Sequence, residues 1–309
     1  MEVEVPRRKV KLPSDQNTRS GSGLLSTTFG ARASTSRHPR LPPKTDSATL
    51  LTSMRRLTTL PLIALLLSSN VFAQNAAQTT QAAPAPLPVQ KADVAAPKMD
   101  AKTGAPQEGF MKSHESFVAI AKEGKAQLVF LGDSITAGWR GQSAIWEASF
   151  GKYTPANFGI GGDRTQHVLW RVENGEFDGI KPKVVVLMIG TNNSSTKENS
   201  AEEVASGIRN IISAIHKRSQ ETKVLLLGIF PRGPGEANNP QRDKNKAVNA
   251  IIAKFHDGKS IHYLDFGAKF LEADGTLSKE IMPDLLHLNA KSYQIWAEAI
   301  APSLEKLMK

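Results

Sequence analysis

The chain has 309 residues, 40% of them hydrophobic and 22% charged, with no cysteine and a formal charge of +10. The missing cysteine excludes disulfides, thiolate metal sites, a cysteine nucleophile and lipid attachment at an N-terminal cysteine. The charge does not mark a nucleic-acid binder: residues 1–73 carry 11 Lys/Arg against 4 Asp/Glu, the remaining 236 carry 28 against 25, and no nucleic-acid-binding motif is present.

Residues 1–53 form a basic stretch containing Ser, Thr and Pro. At Met54 the pattern changes to "MRRLTTLPLIALLLSSNVFAQ": two arginines, a short apolar run from Leu57 to Leu67, then small residues ending at Ala73. This is the order of a secretory signal, and the run is too short to span a bilayer comfortably. Residues 54–73 are therefore expected to be a signal peptide cleaved after Ala73. Met54 is expected to be the true start, with 1–53 a spurious or disordered extension. The product would be periplasmic or secreted, with no stable membrane span after cleavage. Residues 74–109, rich in Ala, Pro and Gln, read as a disordered linker, because they offer little apolar surface to offset ordering entropy. That leaves 110–309 as one domain.

Within it, apolar runs of strand length fall at Leu128–Leu131, Ala156–Phe158, Val184–Ile189, Val224–Ile229 and Ile261–Leu264. Helical periodicity covers Ala144–Phe150, Gln166–Asn174, Ala201–Arg218, Asn239–Phe255 and Ala290–Met308. Continuous apolar strands such as "VVVLMI" suit a parallel sheet covered on both faces. The expected fold is α/β, a three-layer α/β/α sandwich with about five parallel strands.

Ligands of such sheets bind beyond the carboxyl ends of the strands. Those ends are followed here by "GDS", "GIGGD", "GTNN" and "FPRGPG". Ser134 in "GDS" is a candidate nucleophile that needs a base, usually a histidine oriented by a carboxylate. Among the histidines, His114, His216 and His256 fall in helical stretches beside charged residues and read as solvated. His262 lies in a strand, and His167 near a helix start reads as local structure. His287 differs, since it sits in the turn-like "MPDLLHLNAKSY" with Asp284 three residues before it. Taken alone, "DLLH" also fits a coincidental surface pair. Candidate oxyanion donors are the N–H groups of Ser134 and Gly162 and the side-chain amide of Asn192. The glycines also fit a tight turn, and Asn192 a helix cap.

These blocks, "GDS", Gly162 in "NFGIGGD", Asn192 in "GTNN" and "DLLH", occur in the order of the SGNH (GDSL-type) hydrolase superfamily, which the domain resembles. The segments "NFGIGGDRTQHVLWRVENGEFDGIKPKVVVLMIGTNN", "AEEVASGI" and "GIFPRG" are similar to the catalytic subunits of intracellular platelet-activating-factor acetylhydrolase. The resemblance implies a flavodoxin-like fold and a serine esterase without metal or cofactor. It assigns Ser134 as nucleophile, Asp284 and His287 as the rest of the triad, and Ser134, Gly162 and Asn192 as the oxyanion hole. It also implies a compact acyl pocket at Ile135, Thr191 and Leu286, suited to short acyl groups, acetyl above all. The partner would be a small ester, lipid or acetylated carbohydrate, and the resemblance allows a homodimer.

Three other readings use the same residues. One is a carbohydrate O-acetylesterase, or a lysophospholipase or arylesterase, on the same triad. Another is an inactive carbohydrate- or lipid-binding module. The third is a metal hydrolase using Asp133, Asp284 and His287, for which no further ligands are fixed by the sequence.

Overall fold

The computed structural model describes residues 87–235 and 237–309. The expected extension, signal peptide and first part of the linker lie outside the described residues. Five strands form one sheet: β1 (Leu128–Gly132), β2 (Pro155–Gly159), β3 (Val184–Met188), β4 (Lys223–Leu227) and β5 (Ile261–Leu264). Every pairing is parallel, and the order is β2-β1-β3-β4-β5. From β1 the chain adds β2 on one side and then β3, β4 and β5 on the other, so the order switches between β1 and β3, which opens a crevice at their carboxyl ends.

β1 and β3 are buried along their whole length, and alternate residues feed opposite faces of the sheet. Val129, Leu131, Val185, Leu187, Val224 and Leu226 join one core. Leu128, Phe130, Val184, Val186, Leu225 and Leu227 join the other. This is why these strands read as unbroken apolar runs instead of alternating ones. Each such side chain contributes about 1.5–3 kcal/mol of burial.

The helices are α1 (Glu108–Glu123), α2 (Ser134–Ala137), α3 (Ser143–Phe150), α4 (Thr165–Arg171), α5 (Thr191–Ser194), α6 (Ala201–Arg218), α7 (Pro240–Ile252) and α8 (Ala290–Leu307). Buried apolar side chains of α1, α4, α6 and α7 belong to the first core, and those of α3 and α8 to the second. The result is the expected three-layer arrangement. Helix α6 has the expected bounds because its capping signal is local: Ser200 accepts from the Glu203 N–H while the Glu203 carboxylate accepts from the Ser200 N–H. Among the described residues, no helix is long and apolar enough to cross a membrane.

Two readings need correction. The domain does not begin at residue 110, because residues 87–107 of the expected disordered linker pack along it. Ala92 is wholly buried and its carbonyl accepts from Thr165 Oγ1 at 2.6 Å. Ala96 N–H donates to the Gln166 carbonyl, and Asn210 Nδ2 to the Asp93 carbonyl. Backbone and small side chains supply these contacts, so composition, which counts large apolar residues, does not register them. Second, His114 is not a solvated residue. It is buried in α1 with Phe110, Phe117 and Ala121, and its Nδ1 lies 3.0 Å from Glu176 Oε1.

Candidate active site

The apolar run of β1 stops at Gly132 because the chain must turn directly into α2. Asp133 caps that helix, its Oδ1 accepting from the Ile135 N–H at 3.0 Å. Ser134 is thus the first residue of a helix at the carboxyl end of a central strand. Its backbone N–H is one of the first-turn donors that the helix itself cannot satisfy.

Asp284 and His287 lie in the connection leading to α8. They do not occupy a helical turn. Leu285 between them has φ +61°, and Asp284 Oδ1 accepts from both the Leu286 and His287 N–H groups, at 3.1 and 2.7 Å. This aspartate-centred turn aims the ring. His287 Nδ1 is 2.6 Å from Asp284 Oδ2, and His287 Nε2 is 2.9 Å from Ser134 Oγ across 153 residues of sequence. The carboxylate oxygen can only accept, so Nδ1 carries the proton and Nε2 accepts from the serine hydroxyl. Burial works to raise the Asp284 pKa, but the hydrogen bonds from the ring and backbone of His287 outweigh it and hold the carboxyl below its ordinary value. Asp284 is therefore ionised when the imidazole takes up a proton. The pair is open to solvent, with the His287 and Asp284 side chains 45% and 56% exposed.

Gly162 follows β2 with φ +72°, a left-handed conformation that a side chain disfavours. Asn192 is the second residue of α5, the turn of helix after β3, and its Nδ2 donates to the Asp163 carbonyl at 2.8 Å. An amide nitrogen has two hydrogens, so this bond fixes the group while leaving a second donor. The expected oxyanion residues are thus carried by the ends of β1, β2 and β3.

Beneath the glycine loop lies a cluster that the sequence reading missed. Arg171, fully buried, donates from Nε to Asp163 Oδ2 at 2.9 Å, from Nη1 to Glu176, and from Nη2 to the Phe158 carbonyl at 3.1 Å. Burial pushes Asp163 up to about 6 against the opposing charges of Arg171 and Lys98. Burial also drives Asp133 up to about 7, countered in part by the Ile135 N–H. A signal did exist, since Arg171 interrupts the apolar face of "HVLWRV" at a core-facing position with carboxylates before and after it.

Of the expected acyl-pocket residues, Ile135 and Thr191 are buried and Leu286 is partly buried. Ile135 and Leu286 share the second core cluster. Thr191 is held separately by Arg232, whose Nη1 donates to its carbonyl at 2.9 Å and to its hydroxyl at 3.3 Å. Arg232 is a second residue missed from sequence, and its guanidinium faces the charges of Asp133 and Asp284. Among the described residues, no group of three or more His, Asp and Glu side chains could hold a metal ion.

A serine, histidine and aspartate in hydrogen-bonded series at the switch point of a parallel sheet define a class, the serine hydrolases of three-layer α/β fold. A sequence model of the GDSL-like lipase/acylhydrolase family matches residues 130–295. The chain belongs to this family and is a carboxylic ester hydrolase. It is 40% identical over 200 residues to platelet-activating factor acetylhydrolase IB subunit alpha1 of Rattus norvegicus, covering 64% of this chain and 84% of that one. The alpha2 subunit of Mus musculus is also 40% identical, over 201 residues, covering 65% of this chain and 84% of that one. In fold, the chain is similar to a GDSL-like lipase of Bacteroides thetaiotaomicron, with a TM-score of 0.51 at 18% identity, covering 63% of this chain and 97% of that one.

Proposed function

We propose that the chain is an exported serine esterase that removes short acyl groups, acetyl above all, from small esters through an acyl-enzyme intermediate. The observation that carries this reading is the 2.9 Å approach of Ser134 Oγ to His287 Nε2, with Asp284 on the far ring nitrogen. Ser134 Oγ attacks the ester carbonyl while its proton passes to His287 Nε2. Asp284 stabilises the imidazolium, and the carbonyl oxygen, now negative, takes hydrogen bonds from Ser134 N–H, Gly162 N–H and Asn192 Nδ2. His287 then gives the proton to the departing alcohol. Water, deprotonated by the same ring, attacks the acyl-enzyme and releases the acid and free Ser134.

Preference for a short acyl chain is supported by the buried Ile135 and Thr191 beside the nucleophile and the oxyanion asparagine. It is also supported by the 40% identity to a protein named an acetylhydrolase. Export is supported by the signal-like order of residues 54–73 alone. Hydrolysis of p-nitrophenyl acetate, butyrate and octanoate by the full chain, with Ser134→Ala alongside, tests the chemistry. Rates should fall with chain length and vanish in the variant. A Ser134→Ala protein with wild-type rates removes the mechanism, and octanoate hydrolysed faster than acetate removes the short pocket. N-terminal sequencing of the protein recovered outside the cytoplasm should begin at Gln74.

A further inference from the structure

The segment 87–107 brings Lys98 to the glycine loop. Its Nζ donates to the Gly161 carbonyl at 2.6 Å, across 63 residues of sequence. A Cβ placed on Gly162 would lie 2.7 Å from the same nitrogen. The carbonyl of Gly161 and the N–H of Gly162 belong to one planar peptide unit. We propose that Lys98 is a positioning residue of the oxyanion hole: its ammonium holds and polarises the peptide whose N–H meets the developing oxyanion. The inference rests on the esterase reading above.

Three observations support it. The lysine is held in place, because its own carbonyl accepts from the Gln107 N–H at 2.8 Å and Met99 bridges Pro106 to close a small hairpin. The hairpin is in turn anchored to the domain. Gln90 donates from Nε2 to the Pro97 carbonyl at 2.9 Å, and its Oε1 lies 3.0 Å from His167 Nε2. Ala92 and Ala96 are bonded to α4 as described above. Finally, although burial lowers the Lys98 pKa, the Asp163 carboxylate beneath the loop acts in the opposite sense and favours the charged ammonium.

A cationic donor on the carbonyl draws electron density from the peptide and strengthens what its N–H can donate, as bonds in series do. The gain is largest when the acceptor is an oxyanion, so it belongs to the transition state more than to the bound ester. A residue that acts this way changes kcat and kcat/KM together and leaves KM alone.

The test compares Lys98→Met and Lys98→Arg with wild type and Ser134→Ala, all as full chains, on p-nitrophenyl acetate with melting temperatures recorded. Lys98→Met should lose about tenfold in kcat, less than the loss of an oxyanion donor itself, with KM and melting temperature unchanged. Lys98→Arg should recover most of that rate, since a guanidinium can donate to the same carbonyl. Wild-type kcat in Lys98→Met overturns the proposal. So does an equal loss in both variants accompanied by a fall in melting temperature, which assigns Lys98 to packing. Activity surviving in Ser134→Ala instead overturns the underlying Ser134 acyl-enzyme mechanism, so the two failures are distinguishable.

Discussion

Asp284 and His287 stand three residues apart in an exposed turn that one aspartate organises. The Gly161–Asp163 loop, by contrast, depends on Lys98 and Asn192, 63 and 29 residues from their partners in sequence, and on Arg171 at the far end of the helix that follows it. In the proposed mechanism the acid–base half of the site is thus local and wet, and the oxyanion half is mostly long-range and partly buried. The physics of each task accounts for the difference. A base must exchange protons with alcohols and water, so solvent access suits it. Oxyanion donors act by being aimed before charge appears, and rigid, partly desolvated surroundings increase what each is worth.

If the contrast holds, variants in the two halves should fail differently. The largest effect is expected at the base. His287→Ala should lower kcat by about 10⁴-fold or more while the melting temperature stays within a few degrees, because the ring is nearly half exposed. Combined turnover and melting measurements check this, and a large loss of stability would place His287 in the structural half. Arg171→Met should do the reverse. It strands the buried carboxylates of Asp163 and Glu176, at a cost of about 3–5 kcal/mol in stability, read by denaturant unfolding. A fully stable Arg171→Met protein would show that the cluster does not brace the loop.

Asn192→Ala, between the extremes, should lower turnover by about 100- to 1,000-fold with a smaller loss of stability, since its bond to the Asp163 carbonyl is also lost. Unchanged turnover removes it from the mechanism. The smallest effect concerns acid. His167 accepts at Nδ1 from the Arg164 N–H and meets Gln90 Oε1 with Nε2, so the neutral ring fits its site. Burial, followed by the charges of Lys98, Arg164 and Arg171, depresses its pKa to about 3. An unfolded histidine titrates near 6.5. Between about 3 and about 6.5 the unfolded chain therefore binds the extra proton, and this contribution, complete above about 6.5, is lost as pH falls toward 3. His167→Gln should show a shallower fall in melting temperature on acidification. Parallel curves for the two proteins would exclude His167 as the source.

Sequence legibility follows the same division. The candidate residues Ser134, Gly162, Asn192 and the Asp284–His287 pair are picked out in the sequence by turn residues after apolar runs and by a short spacing. Arg171 was passed over because a single arginine among apolar residues looks like a solvated interruption until its partners are known. Lys98 was hidden more deeply, in a stretch whose Ala and Pro content suggests no fold at all. Burial of His114 likewise depends on Glu176, a residue 62 positions away.

The sequence by itself determined the sheet, the helices that carry their own caps, and the order of the reactive blocks, because apolar periodicity and turn chemistry act over a few residues. Only the tertiary structure decided that Ser134 meets His287, that residues 87–107 belong to the domain, and that Lys98 sits on the peptide of Gly162. Each of those contacts joins segments tens of residues or more apart. Their stability comes from burial and hydrogen bonds that exist only once the sheet has assembled.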